Sequence, residues 1–183
     1  MTLIAALLAA AGLSVSANAV DRCQPLVPPG LARQLAASYP GHRLPRGSDQ
    51  DIYNVRYNLK QGGSGCLGVA TGDFDGDKRR DVALLLTVKD KSQGLLVVGL
   101  RRGTQWLLEL VETVEDPISR QYVGSVDPGE YGPGPFWGES PPDPNEMEII
   151  KSATEGVVTG MLESTARYYF RLNGKWHFVW ISD

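Results

Sequence analysis

The spacing of apolar positions changes several times along the chain, and each change marks a boundary between elements. After Val27 the residues Leu31, Leu35 and Ala36 recur at helical spacing, with Pro28 and Pro29 ahead and Tyr39-Pro40-Gly41 behind as a stop. This predicts a short N-terminal helix, the only substantial one in the chain. Gly47 to Asn58 alternates Ile52, Asn54 and Arg56 against Tyr53, Val55 and Tyr57, which predicts a strand or extended arm, and Gln61 to Gly65 follows as a flexible loop. Leu67 to Thr71, the apolar run Val82 to Val88, Leu95 to Leu100 and Trp106 to Val114 then succeed one another with turns between them, the pattern of an antiparallel meander. In the last of these, Leu107, Leu110, Val111 and Val114 also fit a helical period; a strand is the reading adopted, with a helix as the alternative.

Asp127 to Asn145 breaks the regularity. Its six prolines and four glycines cannot hold a ladder or a helix together, so it reads as a long loop. Tyr131, Phe136 and Trp137 in this loop either form a recognition surface or fold back over the core, and the second reading is favoured. The C-terminal Thr165 to Ser182 is a hairpin, because Asn173-Gly174 is the dipeptide of a type I′ turn between two runs rich in aromatic and β-branched residues. With these two residues as the loop, Arg171 faces Trp176, Tyr169 faces Phe178 and Arg167 faces Trp180, while Tyr168, Phe170, Val179 and Ile181 take the other face. The face alternating arginine with large aromatics, with Arg167, Trp176 and Trp180 on it, is a candidate binding surface or, more in keeping with its size, a packing surface for another layer. The fold class is therefore α+β: mainly an antiparallel β meander with one short N-terminal helix and a C-terminal β-hairpin.

Composition narrows what such a fold can do. The 183 residues suffice for one domain with a real core, and a formal charge of −3 gives no long-range attraction for phosphate backbones, which argues against a nucleic-acid partner. Residues 1–19 are apolar or small, carry no charge and end in Ala17-Asn18-Ala19, the pattern cut by a signal peptidase; the expected product is a single globular domain over residues 20–183. No later stretch has the length of apolar sequence that a transmembrane helix needs. Export to the periplasm or beyond makes a disulfide between Cys23 and Cys66 the simplest reading of the two cysteines, with two free buried thiols as the alternative. His42 and His177 lie far apart in sequence and cannot complete a zinc site with two cysteines.

The densest chemistry lies in GDFDGDKRRDVALLLTV, residues 72–88. Asp73, Asp75, Asp77 and Asp81 occupy positions 1, 3, 5 and 9 of a tight loop. Alternate spacing turns the first three carboxylates inward, the fourth returns from the next strand, and the main-chain carbonyl near Arg79 can fill position 7. Hard oxygen donors in that number suit Ca²⁺. Four carboxylates held together without a cation would repel one another. A metal-free acidic turn is the alternative.

GVATGDFDGDKRRDVALLL resembles the calcium loop of FG-GAP or VCBS-type repeats, the integrin-α type of blade, with Phe/Val-x-x-Gly-Asp-φ-Asp-Gly-Asp-Gly-x-x-Asp-φ-Ala as its pattern. The resemblance implies Asp73, Asp75, Asp77 and Asp81 as side-chain ligands and Arg79 as the carbonyl donor. It covers about twenty residues and departs at Lys78, where the family has glycine for the sharp turn. With no second copy of the loop a propeller does not follow. The arrangement is similar to exported proteins of Gram-negative bacteria that carry one such loop in a small α+β domain.

An enzymatic reading is weaker. DFDGD also resembles the nucleophile loop of haloacid-dehalogenase-type phosphatases, with Asp73 attacking phosphorus and Asp75 as acid and base, but Asp77 stands where Thr or Val belongs and alternating strand-helix units are missing. No Gly-x-Ser-x-Gly elbow is present. The expectation is an exported domain, stabilised by one disulfide and one structural Ca²⁺, that binds a protein, such as the target of an inhibitor or immunity factor, or an envelope glycan.

Overall fold

A computed structural model describes residues 21–88, 93–115, 117–132, 138, 143–161, 164 and 166–181. Residues 1–20, with the expected signal peptide and cleavage site, lie outside the described residues, as do Phe136 and Trp137.

Among the described residues two α-helices and eleven strands succeed one another: α1 (Pro29–Ser38), β1 (His42–Arg43), α2 (Ile52–Lys60), β2 (Val69–Gly72), β3 (Asp81–Val88), β4 (Gly94–Arg102), β5 (Gln105–Val114), β6 (Gln121–Val126), β7 (Gly129–Tyr131), β8 (Ile150–Ser152), β9 (Gly156–Met161), β10 (Ala166–Leu172) and β11 (Lys175–Ile181). The first sheet has the order β1-β3-β4-β5, and β2 joins β3 beside β1; the second runs β11-β10-β9-β6; β7 and β8 form a separate pair. Every pairing between these strands is antiparallel, as the meander pattern predicts.

Layering explains the apolar run of β3. Ala83 and Leu85 enter the core between the two sheets, whereas Val82, Leu84 and Leu86 enter a second core shared with Leu31 and Leu35 of α1. A strand covered on both faces has no polar side to show, so its sequence loses alternation. Strand β4 divides in the same way, Leu96, Val98 and Leu100 inward and Val97 toward α1. The helix sits close: a Cβ on Gly99 would come 2.7 Å from Leu31 Cδ1. Cys23 and Cys66 form the expected disulfide, with Cα atoms 5.0 Å apart, and both lie in the helix-side core. On the chain-entropy model, closing this loop is worth about 4 kcal/mol.

The second sheet is likewise covered twice. Val123, Val157, Tyr169 and Phe178 face the first sheet, and Phe170 and Val179 pack with Ile150 on the far side. Asn173 and Gly174 both have positive φ, 51° and 81°, as a type I′ turn requires, and the expected register holds residue for residue: Arg171↔Trp176, Tyr169↔Phe178, Arg167↔Trp180.

The strand expected over Gly47 to Asn58 is a correction. Gly47–Asp49 is a 3₁₀ turn and Ile52–Lys60 is a helix, so α1 is not the only substantial helix. Asp51 begins α2 by accepting a 2.7 Å hydrogen bond from the Tyr53 amide. Alternation misled because Ile52, Tyr53 and Tyr57 are all exposed and only Val55 is buried; the segment satisfies its own backbone as a helix. No described helix is long and apolar enough to cross a membrane.

Candidate functional site

The aspartate loop joins β2 to β3, and two anchors shape it. Phe74, between Asp73 and Asp75, is fully buried in the inter-sheet core. Asp81, first residue of β3, is also fully buried, and its carboxylate accepts backbone N–H bonds from Phe74 at 3.0 Å and Arg101 at 2.7 Å. Between these anchors the Asp73 carboxylate accepts from the amides of Gly76 at 2.8 Å and Lys78 at 2.9 Å, curling the chain around it. Gly76 and Lys78 both take positive φ, 79° and 63°. Lysine therefore stands in a left-handed conformation that glycine adopts without steric cost.

Asp73, Asp75 and Asp81 each bring a carboxylate oxygen within 4.8 Å of the others, a group that could hold a metal ion. The carboxylate of Asp77 lies outside this group and accepts from the Arg79 amide at 2.9 Å and from Arg102 Nη1 at 3.2 Å. Arg102, at the end of β4, also pairs with Asp75. Among the described residues no Lys or Arg side chain is within salt-bridge distance of Asp73 or Asp81. Burial pushes the Asp81 carboxyl up to about 6; the amides of Arg101 and Phe74 pull the other way, and the charges of Asp75 and Asp77 add to the rise. The chemistry of this donor set, three clustered carboxylates with one desolvated, fits a hard cation.

Glu155 is a further acid beside the loop. Its Oε2 accepts from the Asp73 amide at 2.5 Å although the two residues are 82 positions apart. Nothing local in the sequence marks it.

The aromatic candidates lie elsewhere. Tyr131 folds back over the far core, its ring stacked 5.3 Å from Phe170 and edge-on to Tyr168, with its hydroxyl donating to the Asp127 carbonyl at 2.8 Å. Arg167, Trp176 and Trp180 face β5 of the first sheet, as a packing surface would. Arg171 makes a two-pronged contact with Glu109, Nε to Oε2 at 2.9 Å and Nη2 to Oε1 at 2.8 Å, and the Trp176 indole N–H also donates to Glu109 at 2.8 Å. Arg167 pairs with Glu112, whose other oxygen accepts the Tyr169 hydroxyl at 2.7 Å, and its guanidinium lies 4.3 Å from the Trp180 ring centroid.

Glu109 and Glu112 reach the same face through a β-bulge. Val97 pairs with Leu110 but its neighbour Leu96 pairs with Glu112, so Val111 is an extra residue and the parity of β5 reverses there. Of the helix-like spacing Leu107, Leu110, Val111 and Val114, only Val111 and Val114 pack into the inter-sheet core, on either side of the parity change, while Leu107 and Leu110 are exposed.

The metal-competent aspartates and the arginine–glutamate face are thus two separate constellations on one sandwich. No family model, curated protein or solved structure matches the chain.

Proposed function

We propose that this is an exported domain in which the loop over residues 73–81 holds one structural Ca²⁺ and which acts by binding a protein or an envelope glycan. The observation that carries the metal is the convergence of Asp73, Asp75 and Asp81 within 4.8 Å where β2 turns into β3. Asp77 and the Arg79 carbonyl would complete an oxygen shell, as the resemblance to FG-GAP-type loops implies. Bound there, the ion would supply positive charge to Asp73 and Asp81, which among the described residues have no Lys or Arg side chain within salt-bridge distance, and would tie the loop to β3 through Asp81. Lys78, Arg79 and Arg80 beside the site, and Arg102 on Asp75, would lower its affinity. Export is supported by the Cys23–Cys66 disulfide, which suits an oxidising compartment, and by the apolar N-terminus.

The phosphatase alternative has less support. A phosphorus-attacking Asp73 would need a free carboxylate oxygen following a parallel strand, whereas both Asp73 oxygens accept loop amides and β2 pairs antiparallel with β3. Calorimetric titration of Ca²⁺ into chelator-stripped protein, with Mg²⁺ as control, tests the reading. One site preferring Ca²⁺, lost in the Asp75→Asn/Asp77→Asn double variant, is expected; absence of heat and of any change in melting would overturn it.

A further inference from the structure

The arginine–glutamate face does not close completely. Two hollows of about 440 and 480 Å³ open on either side of the Arg167–Glu112 pair, sharing those two residues, Thr113 and Trp180. One extends past Glu115, Gln121 and Thr159; the other past Asp143, Asn145, Trp176 and Phe178. Each is of small-molecule size, in the range of about 300–1,000 Å³. Together they form one cleft between the edge strand β5 and the β9–β11 side of the second sheet.

Its chemistry selects a ligand class. Among the described lining residues, Glu112, Glu115, Asp143 and Glu146 stand against the guanidinium of Arg167, which disfavours an anion. Arg167 at the centre and the side-chain amide of Asn145 offer N–H donors, which an ammonium or guanidinium group, having no acceptor, cannot use. Hydroxyl groups both donate and accept, so a polyol can use the carboxylates, the Asn145 amide and the guanidinium together. Trp176, Phe178 and Trp180 add aromatic walls against which the apolar faces of sugar rings pack. Among the described residues the buried Thr159 hydroxyl has no hydrogen-bond partner, the kind of polar group that a bound polar molecule or ordered water satisfies.

We propose that the cleft on either side of Arg167 and Glu112 is a binding site for a short, neutral oligosaccharide segment, laid across the sandwich with Trp180 as its central platform. The proposal rests on reading the protein as a binder and is independent of the metal. It also gives the Arg167, Trp176 and Trp180 face two roles: its inner part holds the sheets together and its open edges meet the ligand.

The test is titration of the full chain with maltotriose, mannotriose and the β-1,4 trimer of N-acetylglucosamine, followed by tryptophan fluorescence and calorimetry, with tri-lysine and trigalacturonate as charged controls. Saturable binding of at least one neutral trisaccharide and of neither control is expected. Trp180→Ala should weaken binding on the order of tenfold through loss of the ring contact. Thr159→Val, which keeps the shape, should weaken it by roughly threefold with melting unchanged or raised. If Trp180→Ala fails to fold, Thr159→Val decides. No saturable binding by any of the three sugars, or binding of tri-lysine in their place, overturns the proposal. Sugar binding that survives in both folded variants removes it from this cleft yet leaves a binding protein, and the Ca²⁺ titration reads the metal separately in every variant.

Discussion

The loop over residues 73–81 and the face between β5 and β10 use the same chemical groups to different ends. Between the sheets, each glutamate has its own arginine: Glu109 with Arg171, Glu112 with Arg167, and a tyrosine or tryptophan donor besides. At the loop, Arg102 serves Asp75 and Asp77, while Asp73 and Asp81 depend on backbone amides among the described residues. Charge that is matched across facing strands supports packing; at the loop, the Asp73 and Asp81 carboxylates, left without an ion-pair partner among the described residues, form with Asp75 a group that could hold a metal ion. The difference lies in where the partners come from. Strands β5 and β10 bring opposite charges to facing surfaces, whereas the charged side chains that reach the loop from elsewhere among the described residues are Arg102 and a further acid, Glu155.

The largest effect expected is on the matched side. Glu109→Ala or Arg171→Ala should each cost about 2–3 kcal/mol by chemical denaturation, because the remaining partner keeps a half-buried charge without its counterpart. The double variant should cost clearly less than the sum of the two, and simple additivity would show that the pair does not act as a unit.

On the excess side, Ca²⁺ at a hundredfold over its dissociation constant should stabilise the protein by about 2.7 kcal/mol. Melting with Ca²⁺ and with chelator reads this; the gain should vanish in Asp75→Asn/Asp77→Asn and persist in Glu109→Ala. A gain of equal size in the aspartate variant would break the comparison.

The third effect is a dependence on pH. The Asp81 carboxyl stands at about 6 in the folded metal-free chain against an ordinary 3.8. A carboxyl raised on folding favours the folded state when protonated, so its contribution is present at low pH and lost as pH rises through 6. Measured against Asp81→Asn to cancel other carboxylates, the chelated protein should gain about 1 kcal/mol between pH 7 and pH 5. Saturating Ca²⁺ should remove that gain, and a difference that stays flat in chelator would mean that Asp81 is not desolvated as described.

The smallest effect concerns Lys78, whose φ of 63° places a side chain where glycine is at ease. Lys78→Gly should stabilise the loop by about 0.5 kcal/mol and tighten Ca²⁺. Weaker binding in this variant would show that the lysine itself contributes to the site.

Signals carried by neighbouring residues were legible in the sequence. Asn173-Gly174 sets the hairpin turn and with it the pairing of Arg167, Tyr169 and Arg171 with their partners, because a two-residue turn leaves one register. The spacing Asp73, Asp75, Asp77 and Asp81 marks the loop in which Asp73, Asp75 and Asp81, without Asp77, form a group that could hold a metal ion, and the apolar run of β3 marks a strand buried on both faces. Two cysteines, read with the apolar stretch over residues 1–19, pointed to the disulfide. Long-range packing decided the rest. Glu155 reaches the loop from 82 residues away, Arg102 arrives from the end of β4, and Glu109 and Glu112 share a face because one extra residue reverses the parity of β5. Residues 52–60 form a helix that buries only Val55 and satisfies its own backbone hydrogen bonds. Turn chemistry and ligand spacing act over a few bonds and are written in the residues themselves; partners across a sandwich exist only once two sheets have closed on one another.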